Sequence, residues 1–167
     1  MSKGNANSKR KIIFVCTGNT CRSPMAQAMA TQIFAEAGLE CEVLSAGVNA
    51  WANQPASRHA ISAMEEGGLC LLSHKASVVS DALLDGATLV LTMTGGHKAM
   101  LVMEYPGVAD IVFTLGEYAL AENDGVGAQK HVYAIDVSDP FGGSLEEYRA
   151  CATQIREMLV RVAARLM

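Results

Sequence analysis

Short apolar runs alternate along this chain with longer stretches in which apolar residues recur every three or four positions. The short apolar runs predict buried strands at 11–15, 42–45, 88–92 and 110–113. The stretches with a period of three or four residues predict helices at 25–37, 57–66, 78–84, 96–104, 115–121 and 145–167. Strands that alternate with helices in this way predict right-handed crossovers and a parallel sheet covered on both faces.

Polar segments without either periodicity lie at the start of the chain and near its end. Residues 1–10 are small and polar and predict a flexible tail, and residues 122–129 predict a polar surface loop. The pattern leaves the state of residues 132–135 open. Because the chain shows no internal repeat, we expect residues 11–167 to form one domain with one active site.

Composition narrows the class of protein. The 167 residues carry a formal charge of -4, which argues against a nucleic-acid binder because such proteins present a basic face. The five cysteines include no Cys-x-x-Cys pair and no Cys/His group with zinc spacing, so we expect no disulfide framework, no metal and a cytoplasmic location. No apolar run approaches the length of about 18 residues that a membrane span needs, so no membrane association is expected.

The segment between the first strand and the first helix carries the most specific chemistry, Cys16-Thr17-Gly18-Asn19-Thr20-Cys21-Arg22. A glycine-containing turn at such a junction aims backbone N–H groups inward, and the helix dipole adds positive potential, so a dianionic phosphoryl group fits there. A Cys16 thiolate that faces this group, with Arg22 beside it, indicates attack on phosphorus and a thiophosphate intermediate. Ser23 and Pro24 suit a helix start, with Ser23 at a capping position.

Two further features bear on this site. A cysteine phosphatase needs a carboxylic acid that protonates the leaving group and then activates water, and Asp139 in Asp139-Pro140-Phe141 is the candidate, although Asp-Pro is also an ordinary turn dipeptide. The single tryptophan, Trp51, lies in a loop and either fills the core or lines a pocket. The glycine loop lacks the Gly-Lys-Ser/Thr ending of a nucleotide-binding loop, so neither ATP nor another cofactor is implied.

Residues 16–24, Ser45-Ala46-Gly47, His74 and Asp139-Pro140-Phe141 together resemble the low-molecular-weight protein-tyrosine phosphatase family, in the same order along the chain. The resemblance implies an α/β three-layer sandwich, with a central four-stranded parallel sheet flanked by helices and a phosphate-binding loop after the first strand. It implies that Cys16 is the nucleophile, that Arg22 binds the phosphoryl oxygens as a clamp, and that Asp139 acts first as acid and then as base.

The resemblance also implies roles for residues around these three. Loop residues that bind substrate would be Thr17, Gly18, Asn19, Thr20, Cys21 and Ser23, of which Ser23 hydrogen-bonds the thiolate. Asn19, Ser45 and His74 would form the network that supports the loop. Cys21 also suggests a reversible disulfide with Cys16 that protects the thiolate, although Cys21 could equally pack under the loop.

Within this family the chain looks most like the bacterial protein-arginine phosphatase branch. Tyrosine-specific members usually carry an aliphatic residue where Thr20 stands, and often paired tyrosines after the Asp-Pro, where this chain has Phe141 and Gly142. A polar rim residue favours a guanidinium group, and Phe141 and Trp51 would flank its plane. We therefore expect a phosphatase that acts on phosphoarginine in proteins, with phosphotyrosine as the alternative.

Two other functions are weaker alternatives. A thioredoxin-coupled arsenate reductase shares the loop but needs two further cysteines within mutual reach, and no cysteine lies between Cys70 and Cys151. A non-catalytic phosphate-binding module would not need Cys16, Arg22 and Asp139 together. Loss of turnover in Cys16→Ser would exclude such a module.

Overall fold

The computed structural model describes residues 9–121 and 135–167, and within them four parallel strands form one sheet. The strands are β1 (Arg10–Cys16), β2 (Cys41–Gly47), β3 (Leu89–Thr92) and β4 (Val112–Thr114), in the spatial order β2-β1-β3-β4. Register places Cys16 of β1 beside Gly47 of β2, and Val15 beside Thr92 of β3. The carboxyl ends of the three longest strands therefore meet at one edge of the sheet.

Helices cover both faces of this sheet. They are α1 (Arg22–Glu36), α2 (Arg58–Glu66), α3 (Asp81–Leu84), α4 (Gly95–Glu104), α5 (Leu115–Leu120) and α6 (Leu145–Leu166), with a 3-10 turn at Pro106–Ile111. None of these helices is long and apolar enough to cross a membrane.

The burial of strand β1 on both faces explains why apolar residues do not alternate with polar ones along it. Ile12 and Phe14 point into one hydrophobic cluster, which α1, α2 and α6 complete, whereas Ile13 and Val15 point into a second cluster on the α3 and α4 side. All four side chains are fully buried. A strand covered on both faces has no solvent side, so it needs apolar residues at every position. The predicted three-layer sandwich is confirmed.

Most predicted elements are present, but several begin at other residues than predicted. The helix predicted at 78–84 begins only at Asp81, because the Ser80 side chain caps it and Val78 forms a bridge with Gly47. The strand predicted at 110–113 is Val112–Thr114, because the segment from Pro106 forms a 3-10 turn up to Ile111. Arg10, predicted to lie in the tail, is the first residue of β1, because it pairs with Cys41 of β2. The expectations for residues 1–8, for the 122–129 loop and for residues 132–134 lie outside the described residues.

Helix α1 also begins earlier than predicted, at Arg22 instead of 25. Its N-cap is Cys21, which makes no side-chain capping bond, and Ser23 lies inside the first turn. The expectation that Ser23 caps the helix was therefore wrong. The Ser23 hydroxyl contacts the Cys16 thiol instead.

Candidate active site

The 16–22 loop lies at the carboxyl edge of the sheet, where open parallel sheets place their ligands. Cys16 is the last residue of β1, and Arg22 is the first of α1. The chain that follows β2 holds the start of this loop, because the Val48 and Asn49 backbone N–H groups donate to the carbonyls of Cys16 and Thr17, both at 2.9 Å. A strand, a helix and the neighbouring β2 turn thus fix the loop backbone.

Cys16 has a hydroxyl next to its thiol. The Cys16 side chain is only 3% exposed, and its Sγ lies 2.9 Å from Ser23 Oγ. Ser23 Oγ accepts a hydrogen bond from Asn19 Nδ2 at 2.8 Å, so its own proton can be donated to the sulfur or to the Ala46 carbonyl oxygen, 3.4 Å away. A hydroxyl in this position can donate to a thiolate and stabilise its negative charge.

Asn19 is the residue on which the shape of the loop depends. Its φ is +54°, a left-handed conformation that costs most side chains about 1–2 kcal/mol and that Asn adopts more readily than most. Its fully buried side chain donates to Ser23 and Ser45, and its Oδ1 accepts from the backbone N–H of Ser77 at 2.8 Å. His74 Nε2 lies 2.8 Å from the Asn19 carbonyl oxygen. The predicted group of Asn19, Ser45 and His74 therefore lies together, and Ser77 completes it.

Arg22 brings the far end of the chain to the loop. Its buried guanidinium donates to the Val137 carbonyl at 2.9 Å through Nη1, and Nη2 lies 3.5 Å from Asp139 Oδ2. The Asp139 side chain is about half exposed, and its other oxygen accepts from the Phe141 backbone N–H at 3.1 Å. The 136–141 loop therefore holds a carboxylate beside the guanidinium and open to solvent.

These groups surround one cavity of about 240 Å³. Its walls are the predicted residues Cys16, Thr17, Gly18, Thr20, Cys21, Arg22, Trp51, Asp139 and Phe141, together with Gln54. Asn19 and Ser23, also predicted to bind substrate, are fully buried and do not line it. Trp51 and Phe141 remain 76% and 74% exposed. The structure thus places Trp51 at the pocket and not in the core, and two aromatic side chains contribute to the walls.

The Cys21 thiol, in the cavity wall, lies among hydroxyl groups. Its Sγ is 3.2 Å from Tyr148 Oη and 3.3 Å from Ser57 Oγ. Burial, with the nearby Cys21, raises the pKa of Tyr148 to about 12, so its phenol stays protonated. All five cysteines are free, and the disulfide between Cys16 and Cys21 stays a prediction.

Sequence reasoning missed His97. This side chain, in the first turn of α4, is 6% exposed, and its Nε2 lies 2.8 Å from Thr17 Oγ1. Burial, and to a lesser extent the Arg22 charge, lowers its pKa to about 4, so the ring is neutral near pH 7. The position of His97 in the sequence could have revealed it, because a polar residue shortly after β3 lies at the same edge of the sheet as Cys16.

In the described parts of the chain, no three His, Cys, Asp or Glu side chains are grouped so that they could hold a metal ion.

The chain is similar to known phosphatases over most of its length. The family model described as low molecular weight phosphotyrosine protein phosphatase matches residues 11–167. A protein-arginine-phosphatase from Bacillus subtilis is 41% identical over 93% of this chain and 95% of its own length. The one from Geobacillus stearothermophilus is 40% identical over the same two shares, 93% and 95%.

A solved structure shows the same fold. It is the YwlE arginine phosphatase, as a mutant with a phosphorylated active-site serine. Its TM-score is 0.83 at 40% identity, and the match covers 93% of this chain and 95% of that one.

Proposed function

Because the chain belongs to the low molecular weight phosphotyrosine protein phosphatase family, and is thus a phosphoprotein hydrolase, we propose that it removes phosphate from phosphoarginine in proteins. Cys16 is the nucleophile, Arg22 the phosphoryl clamp, and Asp139 the acid and then the base. The observation that carries the proposal is the approach of Asp139 to Arg22 across the cavity that Cys16 lines. A relative captured with phosphate on its active-site serine supports a covalent intermediate.

The first step transfers the phosphoryl group to the enzyme. The phosphoryl oxygens accept hydrogen bonds from the 16–22 loop and from Arg22, whose planar fork suits two oxygens. The Cys16 thiolate attacks phosphorus, the P–N bond breaks, and its electron pair stays with the guanidine nitrogen. Asp139 gives its proton to that nitrogen, so the arginine leaves as a stable group.

The second step releases phosphate. Asp139, now a carboxylate, takes a proton from a water molecule as that water attacks the thiophosphate. The S–P bond breaks, its electrons return to Cys16, and inorganic phosphate leaves. Ser23, at 2.9 Å from the sulfur, stabilises the thiolate that departs in this step.

The substrate assignment depends on the walls of the cavity. Thr20 supplies a hydroxyl at the wall, and Trp51 and Phe141 supply aromatic faces on which a guanidinium plane can stack. The relatives named above are protein-arginine-phosphatases, whereas the family name refers to phosphotyrosine, which is the second candidate.

Arsenate reduction and a purely binding role fit less well. Burial raises the pKa of the Cys151 thiol to about 12, so this cysteine is a poor relay for electrons from Cys16. The approach of Asp139 to Arg22 gives the site an acid that binding alone would not require. Five free cysteines fit a reducing compartment, and we propose the cytoplasm as the location.

The test measures phosphate release from a phosphoarginine protein and a phosphotyrosine protein under the same conditions. We expect phosphoarginine to be faster by about 100-fold or more, because polar sites discriminate strongly between such groups. Cys16→Ser should abolish turnover, while Cys70→Ser, at an exposed free cysteine, should leave it unchanged. Faster release from phosphotyrosine would reject the substrate, and turnover by Cys16→Ser would reject the nucleophile.

The role of Asp139 is tested separately. Asp139→Asn should lower kcat by about 10²–10⁴-fold, because it removes the acid and the base. Asp110→Asn, at an exposed position just before β4, is the matched control and should keep full activity. A small effect at Asp139 would assign proton transfer to another group.

A further inference from the structure

The turn at residues 93–97, which runs from the end of β3 into the first turn of α4, contacts both halves of the active site. On one side the Met93 backbone N–H donates to the Val15 carbonyl at 2.9 Å, and His97 Nε2 lies 2.8 Å from Thr17 Oγ1. Both contacts fix the start of the 16–22 loop. The imidazole contacts the residue directly after Cys16, so a change at His97 acts on the loop next to the nucleophile.

The same turn also holds the loop that carries Asp139. The Met93 carbonyl accepts from the Val137 N–H at 2.8 Å, and the Gly95 N–H donates to Asp136 Oδ1 at 2.9 Å. Val137 is in turn the residue whose carbonyl accepts from Arg22. The 93–97 turn therefore sets the position of the acid relative to the nucleophile.

The surroundings of the two ring nitrogens of His97 indicate which of them carries the proton. Nδ1 is buried and has no hydrogen-bond partner among the described residues. The charged groups that act on the ring are Arg22, Asp136 and Asp139; burial and the Arg22 charge together outweigh the two carboxylates and lower the pKa of the ring, so it stays neutral. A buried N–H without a partner is rarer than a buried acceptor without one. The proton therefore belongs on Nε2, which donates it to Thr17 Oγ1.

This assignment determines what the Thr17 hydroxyl can do. Its oxygen is occupied as an acceptor, so its own proton is free to be donated. Thr17 is exposed and lines the cavity of Cys16, where the phosphoryl group binds in the mechanism above. A donor held there in advance stabilises the charge that develops on the phosphoryl oxygens in the transition state.

We propose that His97 is a positioning residue: it donates to Thr17 and thereby directs the Thr17 hydroxyl proton toward the phosphoryl group. The inference rests on the proposed role of Cys16, but not on which phosphorylated side chain is the substrate. Because the donor acts on developing charge, its loss lowers kcat more than it raises KM.

The experiment is a double-mutant cycle with para-nitrophenyl phosphate, a general phosphate ester, as substrate. Thr17→Val should lower kcat about 10- to 100-fold, and Thr17→Ser should restore most of the rate. His97→Leu should cost a similar factor in the native background, and nothing further in the Thr17→Val background. Thr31→Val, an exposed threonine on α1, is the matched control and should leave kcat unchanged.

Opposite results would overturn the inference. If Thr17→Val keeps full kcat, or if His97→Leu costs the same factor in both backgrounds, His97 acts through packing alone. Should His97→Leu fail to fold, His97→Gln replaces it: its amide can still donate, so kcat should stay within about threefold of native. Failure of the proposed function is distinguishable, because turnover by Cys16→Ser would reject it whatever the cycle gives.

Discussion

At the scale of single residues, we expect Thr20 to decide which leaving group the cavity prefers. Its half-buried side chain lines the cavity, and its Oγ1 lies 3.6 Å from Cys21 Sγ. Thr20→Ile removes the hydroxyl and adds apolar surface, which suits a phenyl ring better than a guanidinium group. We expect the ratio of phosphoarginine to phosphotyrosine rates to fall at least about tenfold.

Competition assays with both phosphoproteins measure this ratio directly. The matched control is Thr31→Ile, on the exposed surface of α1, which should leave the ratio unchanged. An unchanged ratio in Thr20→Ile would mean that Trp51 and Phe141, and not Thr20, select the substrate.

His97 gives the fold a defined dependence on pH. Its pKa falls from the ordinary 6.5 to about 4 in the folded chain, chiefly through burial. Between these values the unfolded chain binds the proton more readily, so the folded state loses stability as pH falls from 6.5 toward 4. Urea unfolding at pH 7 and pH 4.5 should show this loss, and His97→Gln should show a smaller one. Equal losses in the two proteins would contradict the shift.

Single residues also separate what a sequence can reveal from what it cannot. Cys16 and Arg22 could be selected because of their setting between a buried strand and a helix, and Asp139 because a cysteine phosphatase needs an acid. His97 and Gln54 could not, because an ordinary histidine or glutamine gains its role only from residues that the fold brings beside it. The contact between His97 and Thr17 joins positions 80 residues apart.

Gly47 links two elements, the end of β2 and the 16–22 loop. A Cβ at this position would lie 2.8 Å from Ala50 Cβ and 3.0 Å from Asn19 N, and would overlap the Thr17 carbonyl oxygen. Gly47→Ala must therefore displace the loop backbone. We expect a loss of about 1–3 kcal/mol in the free energy of unfolding, together with a fall in kcat.

The control for this change is Gly107→Ala, where nothing lies within 4 Å of the added Cβ. Urea unfolding and steady-state kinetics on both variants test the prediction. A native kcat in Gly47→Ala would show that the site works with a displaced 16–22 loop, and would contradict the prediction.

Element boundaries were predictable where local chemistry sets them. The glycine after α1, Gly38, adopts φ +73° and follows the predicted end of that helix closely. The start of α3 was not predictable in this way, because the bridge between Val78 and Gly47 withdraws residues that otherwise suit a helix. Pairing with a distant strand overrode the local pattern there.

At the scale of the whole molecule, α6 supplies much of one hydrophobic layer. Leu159 on this helix is fully buried in the cluster that contains Ile12 and Phe14, whereas its neighbour Val160 is 56% exposed. Leu159→Ala should cost about 2–5 kcal/mol of unfolding free energy, and Val160→Ala much less. Urea denaturation measures both.

Because Leu159 is absent from the walls of the Cys16 cavity, KM should stay at its native value in the folded part of the sample. A raised KM would mean that the packing of α6 reaches the site through Tyr148.

The arrangement of layers followed from the alternation of strands and helices, since parallel strands need crossovers. The order β2-β1-β3-β4 is a property of the whole chain, set by which strand pairs with which. The pattern of apolar residues predicts each strand separately, but it does not predict which strands pair with one another.

Asn19 has a consequence for how the enzyme is made. Its partners Ser45, His74 and Ser77 lie 26, 55 and 58 residues further along the chain. Contacts over such separations form only after the intervening chain has closed its loops, so they are gained late in folding. A chain emerging from the ribosome therefore carries Cys16 early but cannot yet hold a phosphate around it. Activity needs β2 and the 74–77 segment to have docked, and the 136–141 loop that carries Asp139 as well.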